Sequence, residues 1–219
     1  ALALGVSRRQ ADELIEQGKV TVNDQPAKLG QRITATDIIR YGNKRLTAQT
    51  HQLILLHKPV GYLCSRASQG GVPTIYELLP KDLHHLKPVG RLDKDSSGLI
   101  LLTNDGDFAH QMTHPSFYKI KRYLVTLDQP LQPLHRQMIN DFGVQLPDGP
   151  SRLTLERQHD GDDRRWIVQM SEGRNRQIRR TFAALGYTVA KLHRTDFGSY
   201  TLGDIKRGEF QESKLTPSQ

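Results

Sequence analysis

The stretch Gly90-Arg91-Leu92-Asp93-Lys94-Asp95-Ser96-Ser97-Gly98-Leu99 runs directly into the apolar segment Ile100-Leu101-Leu102. Its ten residues hold two carboxylates, two cations, two hydroxyls and two glycines. An ordinary surface turn has the same composition, because Gly, Asp and Ser are frequent in turns. A charged loop that leads into a buried strand is instead typical of an active-site loop. The composition of the stretch alone leaves both interpretations open.

The overall composition points to a globular protein with an anionic partner. The 219 residues allow one large or two small domains, and 36% hydrophobic with 25% charged residues argues against disorder. A formal net charge of +8 favours binding to phosphate backbones or other anionic surfaces. No apolar run approaches the ~20 residues that a membrane span needs, and no leader segment is recognisable. We therefore expect a cytoplasmic protein with no membrane association.

Cysteine and histidine usage gives little support for a metal site. Cys64 is the one cysteine, so no intrachain disulfide forms and a reducing compartment is favoured. The nine histidines form no HExxH pattern, and a single cysteine cannot form a CxxC pair. We expect Cys64 to be a small buried residue and predict no metal.

Residues 1–43 have the pattern of a small α/β module. Ser7 is placed to cap a helix, with Gln10 at the reciprocal capping-box position. Gly18 is placed to end that helix, and residues 20–22 alternate as a strand. The polar, aperiodic residues 44–50 are predicted to be an interdomain linker.

Cations gather around this predicted helix. Ser-Arg-Arg, a short helix, Gly-Lys-Val-Thr-Val-Asn and a following strand together resemble the S4 RNA-binding module, with its first helix expected to be clipped. The resemblance implies RNA docking through Arg8, Arg9 and Lys19. The alternative is a solvated helix face with incidental arginines.

Residues 51–215 are predicted to form a larger domain, followed by a tail over 216–219. Short strands and helices alternate without regular βαβ spacing, which favours an α+β fold. Asp107 is predicted to cap one of the helices. The predicted strands cover 52–56, 99–103, 119–127, 151–156, the region around 166–168, 187–192 and 197–202. Within 119–127 the apolar set Ile120, Tyr123, Val125 and Leu127 is predicted to face away from Lys121, Arg122 and Thr126.

A cluster of arginines follows these strands. Arg174, Arg176, Arg179 and Arg180 lie within Ser171–Arg180, which is predicted to open a helix with Ile178 on its apolar face. Guanidinium groups at a helix start suit phosphate binding. In helical spacing at least one arginine points inward, where an unpaired guanidinium is costly and needs an acid. A fully solvated basic helix start is the alternative.

Asp93 and Asp95 are the candidate acids. An aspartate beside an arginine stays ionised. An ionised carboxylate near a sugar anomeric carbon acts as a nucleophile or stabilises oxocarbenium charge. We expect the two side chains to point to opposite faces of an extended segment, which argues against an acid–base pair. We predict that one does the chemistry and the other supports the turn.

The order of four motifs makes the interpretation specific. The stretch 90–99, Lys58-Pro59-x-Gly61, Lys121-x-Tyr123 and 172–180 together resemble ribosomal RNA pseudouridine synthases of the RsuA/RluB type. With the S4 module they cover nearly the whole chain. The resemblance implies a catalytic domain built on a mixed, mainly antiparallel sheet flanked by helices.

The resemblance also implies residue roles. Asp93 is the catalytic residue, Tyr123 packs against the target base, and Ile178 forms an apolar wall. Arg179 pairs with Asp93, and Arg91 helps to expel the nucleotide from its stack, leaving a gap that a guanidinium fills. Further RNA contacts are implied for Lys121, Arg174, Arg176 and Arg180.

The implied reaction breaks N1–C1′ of a uridine and joins C5 to C1′, without metal or cofactor. The implied partner is ribosomal RNA or a ribosomal subunit precursor, with 23S RNA favoured over 16S, and we expect a monomer. Two alternatives stay open on the residues alone. One is a non-catalytic RNA-binding assembly factor, and the other is a base N-glycosylase.

Overall fold

The computed structural model of the protein describes residues 1–47 and 50–215. The chain divides into two units, Ala1–His51 and Gln52–Gln219. The predicted tail over 216–219 lies outside the described residues. Among the described residues, none of the helices has the length and apolar character needed to cross a membrane.

The first unit is one helix on a small sheet. Helix α1 begins after Ser7, whose side chain accepts a hydrogen bond from the Gln10 amide while the Gln10 side chain accepts one from the Ser7 amide. The predicted capping box is confirmed. The four strands are ordered β2-β1-β3-β4, and β4 occupies part of the predicted linker because it pairs with β3. The elements are a 3₁₀ turn Leu2–Leu4, α1 Arg8–Glu16, β1 Val20–Val22, β2 Gln25–Pro26, β3 Ile39–Tyr41 and β4 Lys44–Leu46.

The second unit is built on a mixed sheet, which confirms the predicted α+β class. Seven of its strands lie in the order β11-β12-β8-β13-β7-β5-β15, β14 pairs with β13, and β6 pairs with β7. A separate hairpin is formed by β9 and β10. The strands are β5 Leu53–Lys58, β6 Lys87–Val89, β7 Ser97–Thr103, β8 Lys121–Leu127, β9 Val144–Leu146, β10 Gly149–Ser151, β11 Thr154–Arg157, β12 Arg165–Met170, β13 Val189–Phe197, β14 Tyr200–Thr201 and β15 Phe210–Ser213.

Helices cover parts of this sheet. The α-helices are α2 Gly106–Thr113, α3 Pro133–Gln137 and α4 Gln177–Ala183. Shorter turns are 3₁₀ at Ile75–Leu78, Lys81–His85 and Pro115–Phe117, and a π turn at Met138–Phe142.

Strand β13 lies in the middle of the sheet. It runs antiparallel to β8 and parallel to β7, so it joins two groups of strands. Residues 99–102 of β7 are fully buried, because this strand has packed layers on both faces. That burial explains the continuous apolar run, which is typical of a central strand.

Two predicted details are wrong. Asp105 caps α2 in place of Asp107, because its carboxylate accepts hydrogen bonds from the amides of Asp107 and Phe108 and the helix begins at Gly106. In β8 the buried set includes Lys121, whereas Ile120 is exposed. Ile120 is out of phase with Tyr123 because side chains alternate with a period of two.

Candidate active site

The aspartate loop, defined here as residues 90–98, leads from β6 into the first residues of β7. Lys58, at the end of β5, is fully buried and holds this loop from below. Its Nζ donates hydrogen bonds to the carbonyls of Pro59, Asp93 and Ser96 at 3.0, 2.9 and 2.6 Å. The loop backbone around Asp93 is therefore fixed by one ammonium group.

Gly98 is the last residue of the aspartate loop and lies within the sheet. It lies opposite Lys58 on β5 and opposite Arg194 on β13. Its φ is +109°, and a Cβ built there would lie 2.2 Å from the Arg194 carbonyl oxygen. Only glycine fits this backbone conformation and this spacing without displacing a strand.

The two aspartates of the loop share one arginine. Arg176 Nη1 lies 3.3 Å from an Asp93 carboxylate oxygen and 3.0 Å from one of Asp95, while its Nη2 donates to the other Asp95 oxygen at 3.0 Å. Hydrogen bonds from Arg176 lower the pKa of Asp95. The prediction that the aspartates point to opposite faces is wrong, because side chains two residues apart share a face even in an extended segment. Here the segment is a turn, closed by the Ser96 amide, which donates to the Asp93 carbonyl at 3.1 Å.

Arg179 lies behind this arrangement and meets Asp95 instead of the predicted Asp93. Its Nε is 3.3 Å from an Asp95 carboxylate oxygen, and its Nη1 and Nη2 donate to the carbonyls of Val189 and Asp95. The ion-pair partner of Asp93 is Arg176. The difference arises because α4 begins only at Gln177, after Arg176 has adopted a left-handed φ of +46°.

A cavity of about 570 Å³ opens beside the aspartate loop. Asp93 is half-buried at its edge, and the buried Tyr123 and Ile178 line its interior together with Met170 and Leu192. Of the residues predicted from the sequence, the cavity brings together Arg91, Asp93, Lys121, Tyr123, Arg174, Arg176 and Ile178. Arg179 and Arg180 do not line it.

The cavity combines a flat apolar interior with a charged rim. The Tyr123 ring and Ile178 give the kind of surface that a planar base packs against. Arg91 is exposed at the cavity, and no hydrogen bond or ion pair within the described residues engages its guanidinium. The geometry suits a single nucleotide base with its ribose near Asp93.

Arg174 and Arg180 have protein partners. Arg174 donates to the carbonyls of Asp148, Gly149 and Pro150, and Arg180 donates two hydrogen bonds to the Asp148 carboxylate. These bonds fix the β9–β10 hairpin against the start of α4. RNA contacts by these two arginines stay a prediction.

The predicted RNA-binding cations of the first unit are all on its surface. Arg8 and Arg9 open α1, and Lys19 follows it. Arg9 Nε lies 3.9 Å from a Glu13 carboxylate oxygen one turn later, with both side chains mostly exposed. Such a pair is weak, so Arg9 stays available to another anion.

Two further residues of the cavity were missed by sequence reasoning. Arg194 and Phe197 of β13 line it, and both are buried. A cation at an inward position of an apolar strand is the signal that marks Arg194. Within the described ranges, no cluster of three or more His, Cys, Asp or Glu side chains is arranged to hold a metal ion.

Comparison with known proteins assigns the chain to a family. Residues 52–184 match the family of RNA pseudouridylate synthases, and residues 1–39 match the S4 domain. The chain is 37% identical over 215 residues to ribosomal small subunit pseudouridine synthase A of Pasteurella multocida, with 94% of this chain and 90% of the relative covered. It is 34% identical over 221 residues to ribosomal large subunit pseudouridine synthase B of Bacillus subtilis, covering 97% and 88%.

A solved structure supports the same family assignment. A crystal structure described as a pseudouridylate synthase superposes with a TM-score of 0.69 at 33% identity, covering 97% of this chain and 92% of that one. The chain therefore belongs to the RNA pseudouridylate synthase family and carries an S4 domain at its N-terminal end. It is an enzyme that isomerises uridine in RNA to pseudouridine.

Proposed function

We propose that this enzyme isomerises a uridine of ribosomal RNA and that Asp93 is its catalytic carboxylate. The observation that carries the proposal is the position of Asp93, ion-paired to Arg176 at the edge of a cavity lined by Tyr123 and Ile178. The matched relatives from Pasteurella multocida and Bacillus subtilis are named as ribosomal pseudouridine synthases, which supports ribosomal RNA as the substrate class.

The reaction begins with a uridine turned out of its stack into the cavity. Arg91 occupies the gap left in the RNA, and the uracil packs between Tyr123 and Ile178. Asp93 then faces the ribose and either bonds to C1′ or takes a proton from C2′, while N1–C1′ breaks. The detached uracil turns and C5 bonds to C1′, while the Asp93–C1′ bond breaks or, on the other route, Asp93 returns its proton to C2′. A base then removes the C5 proton, and N1 takes up a proton. The Tyr123 hydroxyl is the candidate for that base.

The two arginines divide the support of the loop between them. Arg176 orients Asp93, because its guanidinium contacts both carboxylates. Arg179 holds the backbone and side chain of Asp95. We therefore assign to Arg176 the pairing role that the sequence assigned to Arg179, with Asp95 as a positioning residue.

The ribosomal target is proposed only as far as its class. Relatives named for the small and for the large subunit match at similar identity, so 23S RNA stays a prediction. Docking of the RNA or of a subunit precursor is assigned to Arg8, Arg9 and Lys19 of the S4 domain, whose side chains are exposed. The monomeric state and the cytoplasmic location stay predictions as well.

The proposal is tested by exchanging each aspartate of the loop separately. Wild type, Asp93→Asn and Asp95→Asn are incubated with 16S and 23S transcripts and with subunit precursors. Pseudouridine is then mapped by carbodiimide adducts. We expect no product with Asp93→Asn and RNA binding within twofold of wild type, since the amide keeps the size of the side chain. Asp95→Asn should retain measurable product.

Three results would contradict the proposal. Product formation by Asp93→Asn would show that the reaction does not require the Asp93 carboxylate. Release of free uracil by wild type would indicate an N-glycosylase. RNA binding by wild type without any conversion of ribosomal transcripts or precursors would indicate a binding factor or a different RNA.

A further inference from the structure

Two cations form the floor of the cavity. Lys121 begins β8 and Arg194 lies on the neighbouring strand β13, and both line the cavity although they are only 8% and 2% exposed. We call these two residues the cationic floor. Buried charges of this kind are expensive unless an opposite charge or hydrogen bonds compensate them.

The compensation of these charges is incomplete. Lys121 Nζ donates to the carbonyls of Lys119, Ser171 and Glu172 at 3.4, 3.1 and 3.3 Å, and Arg194 Nε donates to the Leu99 carbonyl at 2.8 Å. Arg194 Nη2 is buried without a hydrogen-bond partner. In the part of the chain that the structure describes, no ion pair joins either cation to a carboxylate. Burial and the nearby Arg194 lower the pKa of Lys121 to about 8.

The position of the charges relates them to the base and not to the RNA backbone. Arg194 lies directly opposite Tyr123 and Lys121 directly opposite Phe197, so all four side chains share one face of the sheet. Arg194 Cζ lies 4.9 Å and Lys121 Nζ 5.0 Å from the centre of the Phe197 ring. The cationic floor therefore lies on the same face of the sheet as Tyr123, the ring that the uracil packs against, whereas Arg91 is exposed.

We propose that the cationic floor stabilises the negative charge of the uracil as it leaves C1′, a role that rests on the proposed function. When N1–C1′ breaks, the bonding pair goes to N1 and the charge spreads to the carbonyl oxygens of the base. Asp93 forms a bond to C1′ or removes the C2′ proton in the same step, so the base leaves as an anion by either route. Lys121, the more accessible cation, exchanges its longest contact, 3.4 Å to the Lys119 carbonyl, for a hydrogen bond to a uracil carbonyl. Arg194 supplies the second positive charge beneath it.

The test compares two leaving bases in single-turnover reactions. RNA with uridine or with 5-fluorouridine at the target position is mixed with an excess of enzyme, and loss of the starting nucleotide is followed. Fluorine stabilises the detached anion, so less help is needed from the protein. We expect Lys121→Met to slow the uridine reaction about 100-fold, as loss of one oxyanion donor does elsewhere. The 5-fluorouridine reaction should slow much less.

Matched variants separate this role from folding and from general charge. Lys191→Met removes the same charge from an exposed position of β13 and should leave the ratio of the two rates at the wild-type value. Lys121→Arg keeps the charge and should restore much of the uridine rate. The ratio of the two rates does not depend on how much of a preparation is folded, so it can be read even if a variant is unstable.

Each remaining outcome overturns the proposal. If Lys121→Met slows the reactions of both substrates equally, Lys121 does not stabilise the charge of the leaving base. Weaker RNA binding with a lower salt slope would show that Lys121 contacts a phosphate. An unchanged uridine rate in Lys121→Met would show that Lys121 does not contribute to the reaction. If wild type itself forms no pseudouridine, the proposed function fails first, and that result is distinct from all of these.

Discussion

Replacing Gly98 by alanine places a methyl group where three strands meet. The added Cβ would lie 2.2 Å from the Arg194 carbonyl oxygen and 2.5 Å from its amide nitrogen. Both atoms belong to the backbone of the central strand, so no side chain can rotate away. The backbone must also keep a φ of +109°, which residues with a side chain rarely adopt. We expect Gly98→Ala to move β13, β7 or both.

The magnitude follows from two contributions. The unfavourable backbone conformation costs about 1–3 kcal/mol. Overpacking of a tight interior position costs about 1–3 kcal/mol more. The free energy of unfolding should therefore fall by about 2–6 kcal/mol, a large part of the ~5–15 kcal/mol that a typical domain has. Gly161→Ala is the matched control, because its φ is +78° and a Cβ there meets nothing within 4 Å. It should cost only about 1–2 kcal/mol.

The assay is urea unfolding of the three proteins, followed by circular dichroism and tryptophan fluorescence. The single tryptophan, Trp166, is buried in β12 and reports on the sheet directly. Equal unfolding free energies for Gly98→Ala and Gly161→Ala would refute the reasoning. A Gly98→Ala protein that is destabilised as expected should also lose pseudouridine formation, because the aspartate loop, which carries the proposed catalytic residue Asp93, ends at this residue.

Two further predictions concern the support of the loop. Lys58→Met removes the ammonium that fixes the loop carbonyls, so the conversion rate should fall about 100-fold through misplacement of Asp93, the proposed catalytic residue. A rate equal to that of the exposed control Lys81→Met would contradict this. Hydrogen bonds from Arg176 lower the pKa of Asp95 in the folded protein. The stabilisation that this gives is fully present above the unfolded pKa of about 3.9, and it is lost as pH falls through the lower folded pKa. In urea unfolding between about pH 6 and pH 2, Asp95→Asn should therefore be less stable than wild type at the upper end and less sensitive to acid; parallel curves would exclude the contribution.

Local features of the fold were predictable because short-range rules determine them. The capping box at Ser7 and the period of β8 beyond Tyr123 follow from neighbouring residues alone. The uninterrupted apolar run 99–102 was predicted as a buried strand and is one. The insertion of β13 between β8 and β7 was not predicted, because it depends on pairings between residues far apart in the chain.

The candidate site was likewise predictable only in part from the sequence. Motif order brought Asp93, Tyr123 and Ile178 to attention, and all three line one cavity. Helical spacing gave the wrong position for Arg176, because Arg176 precedes α4 in a left-handed backbone conformation. A non-glycine residue in that conformation leaves no pattern in the sequence, so the later start of the helix could not be predicted. Arg194 was missed because a cation within a strand reads as an exposed position until its cross-strand neighbours are known.

The central position of β13 has a consequence for synthesis of the protein. Residues are made from the N-terminus, so β7 and β8 leave the ribosome well before the strand that fits between them. Until residue 197 has emerged, β8 and the first residues of β7 have unpaired edges, and such edges attract other chains. Arg176 and Arg179 also emerge about 80 residues after the aspartates that they bind. An incomplete chain is therefore expected to be prone to association and unable to act on the RNA.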